Sequence, residues 1–75
     1  MPLAFVMVNT VPDKMESVLE NIIEVDGVEE AYMLYGVYDI FAKINAENTE
    51  AVKKVVLNIR RLEHILSTLT LPGLR

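Results

Sequence analysis

No cysteine and no tryptophan occur among the 75 residues, and there is one histidine, His64. Without thiols neither a disulfide framework nor a thiolate metal site is available, which fits a reducing compartment. A metal site would rest on one imidazole and carboxylates alone, so His64 reads as an ordinary structural residue, and no metal or cofactor is expected. Basic residues are scarce as well. Seven Lys and Arg stand against eleven Asp and Glu, a net charge of -4 with a pI near 4.8. Duplex binding needs clustered cations to neutralise phosphates, so direct DNA binding is not expected. No stretch reaches the roughly 18 consecutive apolar residues of a membrane helix. Met1-Pro2-Leu3 lacks the basic region and long apolar segment of a signal peptide. These absences predict a cytoplasmic chain with no membrane partner.

What is present is apolar. Hydrophobic residues make up 52% of the chain and charged ones 24%, more apolar surface than a small domain ordinarily hides alone. One domain over residues 1–75 is expected, and a domain of this size buries only about 60% of the surface its unfolded chain exposes. Association is the remaining way to bury more.

Leu3 to Val8 is apolar at odd and even positions alike, as in a strand covered on both faces. Asn9-Thr10-Val11-Pro12 ends it, with Thr10 a candidate cap for the helix that follows. Met15, Val18, Leu19, Ile22 and Ile23 form one apolar stripe, while Glu16, Glu20 and Glu24 lie on a separate, solvated face. Asp26-Gly27 stops the helix, and strands are expected from Val28 to Tyr35 and from Val37 to Ile44. Val52, Val55, Val56 and Ile59 mark a second helix, capped by Asn48 and supported by a Glu50 to Lys54 pair. A last strand runs from Ile65 to Leu71, with Leu66, Thr68 and Thr70 alternating against Ile65, Ser67, Leu69 and Leu71. The fold class is therefore α+β, a ferredoxin-like βαββαβ unit with a four-stranded antiparallel sheet. Right-handed crossovers place both helices on one face and leave the other bare, to be buried by a second copy in a dimeric α/β barrel.

Between the middle strands lies Gly36-Val37-Tyr38-Asp39. A carboxylate where an apolar strand begins is costly unless Asp39 has a partner. This element, with Val8-Asn9-Thr10, Asp26-Gly27-Val28 and Thr68-x-Thr70, resembles the amino-acid-sensing domain of the Lrp/AsnC family of transcriptional regulators, over nearly the whole chain. Where many relatives have Pro-Gly-Val before the last strand, this chain has Leu62-Glu63-His64-Ile65. The resemblance is to the stand-alone form, without a helix-turn-helix. It implies a non-catalytic domain that binds a small amino acid, forms homodimers and larger rings, and associates with full-length regulators of the family. Tyr35, Gly36, Val37, Tyr38 and Asp39 would form the loop side of the ligand site, with Thr68 and Thr70 from the last strand. Asp39 would accept from the ligand ammonium, and loop N–H groups and Thr hydroxyls would donate to its carboxylate.

Plainer readings of the same residues stand beside this one. Gly36 serves a turn, the tyrosines are interface aromatics, Asp39 caps the backbone of its own connection, and the two threonines are ordinary strand residues. Two other functions share the element order: a cofactor-free enzyme of the dimeric α/β-barrel type, and an amino-acid-binding ACT type of domain. The first has few groups for acid-base work here, and the second lacks its usual Gly-containing loop after the first strand.

The charge balance yields a direct expectation. The purified chain should leave a labelled DNA duplex unshifted at physiological salt, and tight, salt-sensitive retention would contradict it.

Overall fold

The computed structural model describes residues 2–73. Strand β1 (Leu3–Thr10) leads through a short 3-10 turn (Pro12–Lys14) into helix α1 (Met15–Ile23). Strands β2 (Val28–Met33) and β3 (Ile40–Asn45) follow, then helix α2 (Thr49–Arg60) and strand β4 (Ile65–Pro72). The sheet order is β2-β3-β1-β4, and each neighbouring pair is antiparallel. This is the expected βαββαβ arrangement.

The period-2 alternation of the central strands builds the core. Ala4, Val6 and Val8 of β1 and Ile40, Ala42 and Ile44 of β3 are buried beneath the helices, against Val18 and Ile22 of α1 and Val55 and Ile59 of α2. Burying a Val or Ile side chain is worth about 1.5–3 kcal/mol, so this cluster supplies most of the driving force. The opposite face carries Leu3, Phe5 and Met7 from β1, Phe41 from β3, and Leu69 and Leu71 from β4. Phe5 and Phe41 stack there at 5.6 Å between ring centroids. At its β2 edge Lys43 bridges Glu29 and Glu30 at 3.4 and 3.6 Å. The Tyr32 hydroxyl donates to Glu30. That bond, followed by the Lys43 ammonium, holds the Glu30 carboxyl below its usual range, and the carboxylate in turn pushes the Tyr32 hydroxyl up.

Several boundaries differ from the expected ones for identifiable reasons. β2 ends at Met33 and β3 begins only at Ile40, so the connection spans six residues, Leu34 to Asp39, rather than a tight turn at Gly36. Thr10 does not cap the helix: β1 continues through it, its side chain is buried, and Val11 precedes the 3-10 turn without a side-chain cap. Ile23 is 51% exposed because it sits at the margin of the α1 stripe, whose centre is held by Val18 and Ile22. In β4 a register shift sets Ser67 opposite Asn9 but Ile65 opposite Thr10. Ile65 consequently shares the helix side with Thr68 and Thr70 instead of alternating against them. The α2 cap is as expected, with Ala51 N–H donating to Asn48 Oδ1 at 2.8 Å. Its first-turn ion pair is Glu50 with Lys53, at 3.6 Å, rather than with Lys54.

Two positions hold the backbone in the left-handed region for structural reasons. Gly27 has φ +96, and a Cβ there would run into Val55 Cγ2, so the turn into β2 is pressed onto α2. His64, at φ 68, precedes β4, and its carbonyl accepts the Val11 N–H at 3.0 Å, tying the start of β4 to the end of β1. Gly27→Ala combines overpacking with a conformation that L residues resist. It should cost roughly 2 kcal/mol or more, read as a lowered urea midpoint with an unchanged m value.

Candidate functional site

The connection between β2 and β3 lies at the end of the sheet where β1 finishes. Its base is fastened by three backbone-anchored bonds around Asp39. The Asp39 N–H donates to the Val8 carbonyl at 3.0 Å, and the Asp39 carbonyl accepts the Leu34 N–H at 2.8 Å. The Asp39 carboxylate accepts the Thr10 N–H on Oδ2 at 2.9 Å. That donor matters because Thr10 sits at the register shift between β1 and β4, where regular ladder pairing is interrupted. A half-buried carboxylate thus takes up a strand-end amide, giving Asp39 the partner that its position requires. The contact is to the end of β1, not to the connection's own backbone.

The tip of the same connection is unsupported by packing. Tyr35 is fully exposed and Val37 is 84% exposed. Gly36 adopts φ +121 with open space around the position a Cβ would take, so only its dihedral calls for glycine. The N–H groups of Tyr35, Gly36, Val37 and Tyr38 donate to no backbone carbonyl among the described residues. Tyr38 and Asp39 are half-buried beneath the tip. The arrangement is a hydrogen-bonded base carrying an exposed aromatic, an exposed aliphatic and several N–H groups without a backbone acceptor.

The two threonines relate differently to this loop. Thr68 lies opposite Val8, the residue whose carbonyl holds the Asp39 N–H, so it is one strand across from the anchor. Thr70 lies opposite Val6, farther along, and lines another cavity. That cavity is a cleft of about 650 Å³ between α2 and the β1 and β4 strands, reaching Pro2, Leu3 and Gly73. None of Tyr35, Gly36, Val37, Tyr38, Asp39 or Thr68 lines it. This cleft is therefore separate from the loop, which is an open projection. Among the described residues no group of three or more His, Asp or Glu side chains is arranged to hold a metal ion. No described helix is long and apolar enough to cross a membrane. Glu16 and Glu20 of α1, Glu24 just after it, and Lys53, Lys54, Arg60 and Arg61 in and after α2 are exposed.

Sequence reasoning located the loop but not the Thr10 amide as the partner of Asp39, because a backbone donor leaves no mark in a sequence. It also passed over the cleft, whose one advance signal is that β4 alternates Thr, Thr and Pro where β1 and β3 alternate Val, Ile and Ala.

Comparison with known proteins gives a consistent result. The family model for the Lrp/AsnC ligand binding domain matches residues 3–75. The HTH-type transcriptional regulator LysM of Sulfurisphaera tokodaii is 36% identical over 66 residues, covering 87% of this chain and 47% of that protein. The chain spans about half the length of the curated relatives it matches. Among solved structures, TTHA0845 of Thermus thermophilus superposes with a TM-score of 0.93 at 30% identity, covering 100% of this chain and 95% of that one. AsnC of E. coli superposes with a TM-score of 0.90 at 29% identity, covering 99% of this chain and 51% of that one.

The Asp39 anchor is open to a stability test. Asp39→Ala should lower the stability of the ligand-free protein by about 1–3 kcal/mol, because the Thr10 N–H loses its acceptor. Asp39→Asn, which keeps an acceptor oxygen, should retain most of it. Equal melting temperatures for Asp39→Ala and the parent would show that the bond carries no weight.

Proposed function

The chain belongs to the Lrp/AsnC ligand-binding domain family, and on that premise we propose that it is a non-catalytic sensor of a small amino acid which acts through its assembly with other copies. The observation that carries the reading is the β2-β3 connection: Tyr35 and Val37 exposed at its tip, and Asp39 fastening its base. Two large, otherwise unsupported side chains on a hydrogen-bonded base suit a contact made with something outside the chain. Free loop N–H groups suit an amino-acid carboxylate, and the Asp39 oxygen not engaged by Thr10 suits an ammonium. Of the two threonines Thr68, opposite Val8, stands nearer this position, and Thr70 would contribute only from farther along the strand.

An open projection cannot enclose a small molecule alone, so the site needs a second wall. The uncovered sheet face supports association: Leu3, Phe5, Met7, Phe41, Leu69 and Leu71 form an apolar surface whose charged margin, Lys43 with Glu29 and Glu30, is already compensated within the chain. Pairing of two such faces makes the dimeric barrel, and contacts between dimers bring loops together around the ligand. The same face would admit a full-length regulator of the family as a mixed partner. The Tyr32, Glu30 and Lys43 cluster at the β2 edge is engaged within itself and lies apart from the loop, so the enzymatic alternative is not preferred.

Static light scattering at micromolar concentration should give at least twice the 8.5 kDa chain mass. A monomer would remove the basis for a shared site. Thermal-shift screening against the twenty amino acids should find one that raises the melting temperature. At a hundredfold excess over Kd the stabilisation is about 2.7 kcal/mol, a shift on the order of 10 °C for a domain of this size. Tyr35→Ala and Val37→Ala should abolish the shift without altering the unliganded melting curve. No response to any amino acid in the assembled protein would count against the proposal.

A further inference from the structure

The second candidate site is the cleft beside α2, and it is independent of the loop. Helix α2 seats Val55 and Ile59 on the sheet, and the central strands meet the helices with Val6, Val8, Ile40 and Ile44. β4 meets them with Thr68 and Thr70, which have the branched shape of Val and lack the reach of Ile, and with Pro72 opposite Ala4. At this end the sheet offers α2 only Ala4, Thr70, Pro72 and Gly73, and these small residues do not fill the space beside the helix. A cleft of about 650 Å³ remains, within the range of small-molecule sites. Val52, Val56 and Leu57 of α2 form its apolar wall. Leu57 is 48% exposed despite its size.

Charge is unevenly placed around this wall. Among the described residues Lys53 and Arg60 are the charged ones that line the cleft, and no described carboxylate does. Lys53 is shared with Glu50 at 3.6 Å, whereas Arg60 has no carboxylate partner among the described residues. Residues 49 and 60 bound an α2 face about 16 Å long, room for an extended chain of several carbons beside a terminal cation. An apolar trough with a guanidinium at its end selects an anion with an aliphatic tail, since the planar fork of Arg pairs two carboxylate oxygens at once.

We propose that this cleft binds a medium-chain aliphatic monocarboxylate, its tail along Val52, Val56 and Leu57 and its carboxylate on Arg60. The amino acid proposed for the loop has no part in it.

The test is an amide NMR titration of the full chain with sodium octanoate, and with 1-octanol as the uncharged control. Octanoate should shift the amides of α2 and of Thr70 to Gly73 saturably, leave those of Tyr35 to Asp39 in place, and bind at least tenfold more tightly than octanol. Arg60→Gln, an exposed substitution that the fold should tolerate, should weaken octanoate at least tenfold and leave octanol unchanged. Thr70→Leu should fill the cleft and abolish both; should it fail to fold, the Arg60→Gln comparison stands alone. Equal binding of acid and alcohol, unaltered octanoate binding in Arg60→Gln, or saturable shifts confined to the loop would each overturn the assignment. So would a cleft closed by a second copy of the chain: Leu57→Glu would then lower the mass seen by light scattering, and octanoate would not bind the assembly.

Discussion

A βαββαβ chain of this length can cover only one face of its sheet, and the rest of the molecule is arranged around that constraint. Right-handed crossovers from β1 to β2 and from β3 to β4 bring both helices to the same side. The alternation in β1 then divides its residues cleanly: Ala4, Val6 and Val8 enter the core, and Leu3, Phe5 and Met7 do not. A sheet whose second face is this apolar is stable in water chiefly when something lies against it. Compensation of Lys43 by Glu29 and Glu30 within the same face lowers the cost of covering it, since the cation needs no new partner.

The loop gains its character from the end of that sheet. β1 is central and paired on both sides, so its last amide, on Thr10, falls where β4 slips register. Asp39 takes up that amide from the end of the connection, just before the other neighbouring strand begins. One carboxylate therefore joins the base of an exposed loop to the junction of three strands. The bond from the Val11 N–H to the His64 carbonyl continues this junction to the start of β4.

Unequal side-chain size across the strands has a second effect. The β4 edge, with its threonines and proline, is left underfilled, and the flank of α2 stays partly uncovered. Protein interiors are close-packed, so a gap of this kind at the margin of a core is a place where a ligand gains contacts that the chain itself does not supply.

Periodicity made most of the architecture legible. Stripes at three and four residues in Val52 to Ile59, alternation in Leu3 to Val8, and breakers at Pro12, Gly27 and Asn48 are local properties, and local properties are written in the order of residues. The same is true of the loop's composition, which marked Gly36 to Asp39 as unusual and carried the family resemblance. What the chain order did not determine is whatever depends on pairing between distant segments. The ends of β2 and β3, the register slip that moves Ile65 to the helix side, and the Thr10 amide that Asp39 accepts all follow from which backbone groups remain unpaired once four strands are in place. The cleft beside α2 belongs to this second class, because its walls come from α2, from Ala4 of β1 and from Thr70 and Pro72 of β4, and no single segment encodes the space between them.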